Sequence, residues 1–393
     1  MATHAHGGGP AGGAHYAHLG RFSDWVATSA APTRRAERRT PAEVRALVHD
    51  ALDVPAGPGL PERPADVRVE RTWSRDGVDG EELSWSVGFG PRTRAWVLRP
   101  TGVDGPLPGV LAFHGHDGFK AAGREKIATG PDAPRPELEA LRRALYGGRA
   151  VADDLARAGF VVLVHDVFTW GSRAFTLDEV PERLRAVGRA TAAVPTPDDV
   201  GQVPEDVALV NAVAGQHEHL VEKYCRVLGT TFAGVVARED RIALAYLRDR
   251  PDVTRRIGSV GLSGGGARSV LLRATADVDA AVVVGMMSTY EALLDHSVVD
   301  HTWMLFPERL AGQVDWPDVA ACGAPAPLRV QWTRDDALFP VEGARAADRR
   351  LAEVYAGVGA RDAYRGTEHD GPHWFGPAMQ DDARAWLAEH LAT

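Results

Sequence analysis

The sequence predicts an α/β fold with a mostly parallel central sheet, an antiparallel N-terminal edge, helices on both faces and a helical cap insertion. Residues 149–158 have a helix-compatible pattern, and the continuous apolar run at residues 160–165 that follows is typical of a buried parallel strand. Between residues 67 and 100, three segments alternate apolar and polar side chains, as antiparallel strands do. A long, mostly helical stretch at residues 171–228 then interrupts the α/β alternation.

The other elements are assigned in order along the chain. Residues 1–20 are rich in Gly, Ala and His and are expected to form a disordered tail, and residues 21–66 are expected to form a helical extension. In that extension Thr40 is the predicted N-cap of a helix that begins with a capping box. The main domain is expected to span residues 67–393. Its further strands and helices are predicted at residues 107–113, 176–187, 205–227, 257–260, 267–272, 327–332 and 379–391.

The most informative motif is Gly261-Leu262-Ser263-Gly264-Gly265, a G-x-S-x-G pattern between a β-branched run and a helix-forming run. In that context a serine hydroxyl stands on a strained strand-to-helix turn, where a substrate carbonyl and the first amides of the helix meet it. The five letters also occur by chance in glycine-rich loops, and this chain has 42 glycines. The flanking strand and helix patterns therefore make Ser263 the candidate nucleophile.

A serine nucleophile needs a histidine base and a carboxylate that orients the base. Asp335 and Asp336 follow the predicted strand at residues 327–332, at the edge where open α/β sheets place their ligand chemistry. We prefer Asp336 because of the turn that follows it, and Asp335 is the alternative.

The candidate base is His373, on a loop just before the last predicted helix, with His369 in reserve. The turn before His373 contains Gly and Pro and is expected to fix the imidazole. The aromatic pair Trp374-Phe375 is expected to shield the site from water.

An H-G-x-x-G loop at residues 114–118 supplies the remaining part of such a site. The backbone amides of His116 and Gly264 are the candidate donors of an oxyanion hole. A competing interpretation makes His114, His116 and Asp117 metal ligands, because imidazole and carboxylate suit zinc. No further ligand motif stands out in the sequence, so we predict no metal.

These motifs, and several other segments, resemble those of the acetyl xylan esterase-like and dienelactone hydrolase-like group of the α/β-hydrolases. They occur along the chain in the same order as in that group. The resemblance covers roughly residues 90 to 393. One departure is the Ser-Gly-Gly-Gly sequence, because many of that group place Met or Gln just before Gly265. We expect the bare glycine to leave more room in the pocket. The other shared segments are Lys120 with Gly123-Arg124-Glu125, residues 166–173, residues 228–234, Asp240-Arg241, residues 315–319 and residues 324–328.

The resemblance implies an α/β-hydrolase fold and hydrolysis of a carboxylic ester, such as an acetyl or other short acyl ester of a sugar or small natural product. Ser263 would attack the carbonyl, His373 oriented by Asp336 would take its proton, and the amides of His116 and Gly264 would hold the oxyanion. No cofactor is required. Hydrolysis of a C–C bond, a lactone or an amide on the same fold is the alternative, and a metal-dependent hydrolase is a further one.

Composition narrows the partners. The chain has 393 residues, 45% of them hydrophobic, which is enough for a sizeable core. Its formal net charge of -9 and the lack of an extended basic face argue against nucleic acid as a partner. Its 2 cysteines and the absence of a signal-peptide or transmembrane pattern predict a cytoplasmic enzyme that does not act at a membrane. The expected partner is a small-molecule ester, and a homo-oligomer is left open.

Overall fold

A nine-stranded sheet runs through the part of the chain that the computed structural model describes, which is residues 16, 18–29, 39–54, 60–193, 203–296 and 298–392. Its strand order is β1-β2-β3-β5-β4-β6-β7-β8-β9. β1, β2, β3 and β5 pair antiparallel in that succession, and every other pair is parallel. The strands are Ala65–Arg75 (β1), Val78–Ser86 (β2), Thr93–Pro100 (β3), Leu107–Phe113 (β4), Val161–His165 (β5), Val253–Leu262 (β6), Ala280–Val284 (β7), Leu328–Thr333 (β8) and Tyr364–His369 (β9).

Helices cover both faces of this sheet, and the predicted fold class is confirmed. They are Ser23–Thr28 (α1), Pro41–Ala51 (α2), Pro136–Tyr146 (α3), Val151–Arg157 (α4), Glu182–Ala192 (α5), Glu205–Val227 (α6), Phe232–Asp249 (α7), Gly264–Thr275 (α8), Tyr290–His296 (α9), Trp316–Ala321 (α10), Val341–Gly357 (α11) and Pro377–Leu391 (α12). None of the helices in the described residues combines the length and the apolarity that crossing a bilayer requires.

Strand β7 illustrates how the sheet divides the core. Its five residues are all buried, and successive side chains point to opposite faces. Ala281 and Val283 pack in a cluster with side chains of α2, α7, α8, α10 and α11. Ala280, Val282 and Val284 pack in a second cluster with side chains of α3, α4 and α12. A strand that is buried on both faces must be apolar throughout, as this one is.

The N-terminal part of the described chain agrees with most of the sequence analysis. Thr40 caps α2 in a capping box with Glu43, as predicted. The three antiparallel strands predicted between residues 67 and 100 are β1, β2 and β3. The predicted tail at residues 1–20 lies outside the described residues except for residues 16 and 18–20, and the proposed domain boundaries stay predictions.

The insertion between β5 and α7 is helical, with one difference from the prediction. Helix α6 matches residues 205–227, but the helix expected at residues 176–187 is broken. Thr176 caps a short 3₁₀ turn at Leu177–Glu179, and α5 begins only after Pro181. Proline disfavours helical backbone in the residue before it, so Val180 is extended, and the two segments cannot join.

Three buried polar side chains, one each from β5, α7 and α8, meet near the carboxyl ends of the central strands, where the candidate site described below lies. Asp240 on α7 accepts hydrogen bonds from Arg268 on α8, with Nη2 to Oδ1 at 2.7 Å, and lies 2.9 Å from His165 Nε2 on β5. All three are buried. Burial raises the pKa of the Asp240 carboxyl, but the Arg268 guanidinium and the His165 hydrogen bond outweigh it and hold that pKa below its ordinary value.

We expect Asp240→Asn to lower the free energy of unfolding by about 3 to 5 kcal/mol, because it leaves the guanidinium of Arg268 buried without its counter-charge. Urea unfolding followed by far-ultraviolet circular dichroism measures this. The control is Asp249→Asn on the same helix, which removes an exposed ion pair with Arg63 and should change stability by less than about 1 kcal/mol. Equal losses in the two variants would contradict the expectation.

Candidate active site

Ser263 stands on the sharp turn between β6 and α8. Its backbone has φ of +55° and ψ of -118°, in a region that residues with a side chain rarely adopt. The Ser263 amide donates to the carbonyl of Val284 at the end of β7, at 2.8 Å, and so ties the turn to the neighbouring strand. The structure therefore has the strained strand-to-helix turn that the G-x-S-x-G motif predicts.

Two glycines of the motif are required by close backbone approach. A Cβ added to Gly261 would lie 2.4 Å from the carbonyl of Gly265, and one added to Gly265 would lie 2.3 Å from the carbonyl oxygen of Phe113 at the end of β4. Neither backbone atom can move aside easily, because the first belongs to helix α8 and the second to strand β4. The turn thus brings β4, β6 and the start of α8 into contact.

Asp336 is the carboxylate that the structure brings to a histidine. It is buried in the loop after β8, and its Oδ2 lies 2.7 Å from Nδ1 of His373. Its Oδ1 accepts the backbone amides of Leu338, at 2.8 Å, and Phe339, at 3.0 Å. Asp335 is exposed. Of the two candidates, Asp336 alone has the geometry to orient an imidazole.

His373 lies in the loop after β9, beside the turn that carries the serine. A Cβ added to Gly285, which follows β7, would lie 3.3 Å from Cε1 of the His373 ring. The ring of Phe339 stacks on His373 with centroids 5.8 Å apart. His369, the reserve candidate, lies at the end of β9, and its Nε2 is buried with no hydrogen-bond partner among the described residues.

The expectation that Trp374-Phe375 shields the site is wrong. Phe375 is buried in the core cluster that contains Met379, and its amide donates to the carbonyl of Leu145. Trp374 packs against the same cluster. The segment leads into α12, so its aromatic side chains pack beneath the sheet.

The two candidate oxyanion donors lie next to each other. A Cβ placed on Gly264 would be 2.8 Å from the amide nitrogen of His116. Buried Lys126 donates to the carbonyls of Gly115, at 2.9 Å, and His116, at 3.0 Å. In a trans peptide the C=O and the following N–H point in opposite directions, so the Gly115 carbonyl facing Lys126 turns the His116 N–H the other way. Among the described residues, neither this N–H nor that of Gly264 has an acceptor.

The expectation that the bare glycine at position 264 leaves more room in the pocket is wrong. The space a side chain would fill is taken by the backbone and Cβ of His116, and by Cε of Met304, which lies 3.4 Å from the Cβ position. Because Gly264 has no side chain, the loop at residues 114–118, called the oxyanion loop below, can approach the serine turn closely.

The structure argues against the metal interpretation of residues 114–117. His114 is buried, and its Nδ1 lies 3.0 Å from the carbonyl oxygen of Gly115. Asp117 pairs with Lys126, with Oδ2 3.1 Å from Nζ. Within the described ranges, no group of three or more His, Cys, Asp or Glu side chains is arranged to hold a metal ion.

His301 is a neighbour of the site that the sequence analysis missed. Its Nε2 lies 3.1 Å from the carbonyl oxygen of Leu338, and its ring packs on Phe339 with centroids 4.5 Å apart. Burial lowers the pKa of His301 to about 4, against the opposing effect of the hydrogen bond to the Leu338 carbonyl. A neutral imidazole therefore supports the loop that holds Asp336. No local motif marks it, because the hydrogen bond that gives it this role joins it to a residue 37 positions away.

This arrangement has the components of nucleophilic acyl transfer. A serine hydroxyl on a strained turn, a histidine whose Nδ1 is held by a carboxylate, and two adjacent amides together can activate a nucleophile and stabilise an oxyanion. The side chains and backbone amides of the described residues supply all of these groups.

Comparison with known proteins gives the same fold. No family model matches the chain. It is 23% identical over 336 residues to “Putative hydrolase YtaP” of Bacillus subtilis (strain 168), which covers 84% of this chain and 95% of that one. “A putative acetyl xylan esterase” from Bacteroides fragilis superposes with a TM-score of 0.60 at 16% identity, covering 89% of this chain and 82% of that one. A glucuronoyl esterase from Solibacter usitatus superposes with a TM-score of 0.56 at 14% identity, covering 89% and 91%. The chain has the α/β-hydrolase fold.

We expect Gly264→Ala to slow ester hydrolysis by about tenfold to a hundredfold, because the new Cβ must displace the His116 amide from the oxyanion position. Some stability should be lost as well, because the atom that must shift belongs to the backbone, so turnover is measured well below the melting temperature of the variant. The measurement is the turnover of p-nitrophenyl acetate together with the melting temperature. The control is Gly215→Ala in α6, where an added Cβ meets no atom within 4 Å and activity should not change. Unchanged turnover in Gly264→Ala would contradict this role.

We expect the free energy of unfolding to depend less on pH in His301→Gln than in the wild type. Because the folded pKa is about 4 and the unfolded value is near 6.5, the unfolded chain binds a proton between these values and the folded chain does not. Stability from this group is complete above pH 6.5 and falls by about 1 to 2 kcal/mol by pH 5. Urea unfolding at pH 7 and pH 5 tests this. His18→Gln, at an exposed position, is the control and should follow the wild type.

Proposed function

We propose that the chain is a serine hydrolase that cleaves a carboxylic ester through an acyl-enzyme intermediate. The observation that carries this proposal is the 2.7 Å contact between His373 Nδ1 and Asp336 Oδ2, beside a serine held at positive φ. The esterase names of similar structures support it independently.

In the proposed mechanism, Oγ of Ser263 attacks the ester carbonyl while Nε2 of His373 takes its proton. The C–O bond of the ester then breaks, and His373 returns the proton to the departing alcohol. Water repeats the sequence: its oxygen bonds to the acyl carbon, its proton passes through His373, and Ser263 Oγ leaves. At both steps the amides of His116 and Gly264 hold the negative oxygen, and Asp336 stabilises the imidazolium without taking a proton.

The proposed substrate is an acetyl or other short acyl ester of a sugar or small natural product. Support comes from the acetyl xylan esterase name of the Bacteroides fragilis structure. The proposed reaction uses no cofactor and requires no partner beyond the ester.

We expect Ser263→Ala to abolish both p-nitrophenyl acetate hydrolysis and covalent labelling by a fluorophosphonate probe, because both depend on the serine oxygen. Asp336→Asn should lower kcat roughly 10³-fold to 10⁴-fold, since the amide cannot hold the imidazole in its reactive tautomer. A p-nitrophenyl octanoate substrate should turn over more slowly than the acetate if the acyl group is short.

The matched control is Asp335→Asn, which changes the adjacent exposed carboxylate and should keep kcat within about twofold of the wild type. Intact-protein mass spectrometry locates the label. A folded wild-type protein that neither hydrolyses the ester nor takes the label would sink the serine mechanism and favour hydrolysis of another bond. Equal losses in the two aspartate variants would remove Asp336 from the triad.

A further inference from the structure

Glu218, on cap helix α6, is a buried carboxylate with donors on both of its oxygens. Oε1 accepts the hydroxyl of Thr302 at 2.6 Å and the backbone amide of Trp303 at 2.9 Å. Oε2 accepts the ammonium of Lys120 and lies 3.4 Å from Nε2 of His116. One side chain of the insertion thus joins two segments that are far apart in sequence.

The first of these segments is the oxyanion loop. Nδ1 of His116 accepts the amide of Gly118 at 3.1 Å, so the ring proton is on Nε2, facing Glu218. Burial raises the pKa of the Glu218 carboxyl, but Lys120 and His116 outweigh it and hold that pKa well below the ordinary value. The His116 ring is therefore held between a backbone donor and a carboxylate anion.

The second segment lies across the serine turn. Thr302 and Trp303 directly precede Met304, whose Cε is 3.4 Å from the Cβ position of Gly264. His301, which supports the Asp336 loop, directly precedes Thr302. The contacts of Glu218 therefore reach the surroundings of both proposed oxyanion donors.

Lys120 explains why this carboxylate is charged where it is. The ammonium is buried, lies 4.4 Å from the centroid of the Trp170 ring and donates to the hydroxyl of Thr169 at 2.8 Å. A buried ammonium needs a counter-charge, and Glu218 supplies it. The ion pair joins α6 to the chain directly after the oxyanion loop.

We propose that Glu218 is a positioning residue through which the cap helix holds the oxyanion hole in its working geometry. The proposal rests on the proposed function, since it assigns a role in the same acyl transfer. Glu218 acts through His116 and the segment at residues 302–304. Docking of α6 and formation of the hole are then one event.

Glu222 provides a matched comparison one helical turn later. It is also buried on α6, and its carboxylate accepts the backbone amide of Phe232 at 2.8 Å and Nε of Arg226 at 2.9 Å. It therefore anchors the same helix but makes none of the contacts to the oxyanion loop. A purely structural role of the α6 carboxylates would make Glu218 and Glu222 equivalent.

The test compares Glu218→Gln, Glu218→Asp and Glu222→Gln in the full chain. We expect Glu218→Gln to lower kcat for p-nitrophenyl acetate by about tenfold to a hundredfold with KM within threefold, because one oxyanion donor is misplaced and the amide group adds N–H donors where N–H donors already converge. Binding of a short trifluoromethyl ketone, whose adduct carries an oxyanion, should weaken by the same factor. Glu218→Asp should recover part of the loss, and Glu222→Gln should keep kcat within twofold whatever its melting temperature.

A double-mutant cycle tests the route through His116. Because Glu218 also contacts residues 302 and 303, the fold-loss in kcat of His116→Phe combined with Glu218→Gln should be smaller than the product of the two single fold-losses if part of the effect passes through that ring. A fold-loss equal to that product would overturn the route, and equal kcat losses in the Glu218 and Glu222 variants would overturn the positioning role.

The wild-type protein separates this proposal from the proposed function. If it hydrolyses the ester and its Ser263 is labelled, while Glu218→Gln keeps the wild-type kcat, the positioning role fails and the function stands. If the folded wild type is neither active nor labelled, the function fails, and the positioning role fails with it.

Discussion

The turn at Ser263 is the steric constraint on which the site depends. A side chain at Gly261 or Gly265 would meet backbone atoms at 2.4 Å or less, and the atom that Gly265 faces is the carbonyl oxygen of Phe113, the last residue of β4. The oxyanion loop begins at the next residue. The serine turn and the position of the loop that faces it are therefore linked through Gly265, which takes part in both close contacts. A change that shifts the serine turn would therefore also shift the oxyanion loop.

Buried cations then orient the loop that this contact positions. Arg268 points one N–H at the carbonyl of His114, at 3.4 Å, and Lys126 donates to the next two carbonyls. Each cation is paired with a carboxylate, Asp240 for the first and Asp117 for the second. Burying such pairs costs desolvation energy and adds little net stability. These pairs instead set the orientation of the peptide groups in the loop. Because successive carbonyls face the cations, the N–H of His116 points the other way, toward the serine turn.

The sequence predicts those parts of the structure that have a local cause. The serine turn, the strand and the helix on either side of it and the Thr40 capping box each depend on a few neighbouring residues, and the structure contains all of them. The roles of Glu218 and His301 depend on contacts 37 to 98 residues apart, which no periodicity records. The expectation that Phe375 shields the site is wrong for a related reason. Its direction depends on how α12 packs against the sheet, and the residues next to it do not determine that.

Under the proposed function, the insertion contributes to the catalytic centre and is not a lid that can be exchanged freely. Helix α6 belongs to the segment that leaves the core after β5 and rejoins it at α7, so pairing between strands does not fix the position of this helix. Its buried carboxylate fixes it by pairing with Lys120 and by accepting the amide of Trp303. Those contacts join the oxyanion loop to the segment over the serine turn. Under the proposed function, a change in the insertion that admits a larger substrate and shifts α6 would also move the groups that stabilise the oxyanion, and substrate range and turnover would then be coupled.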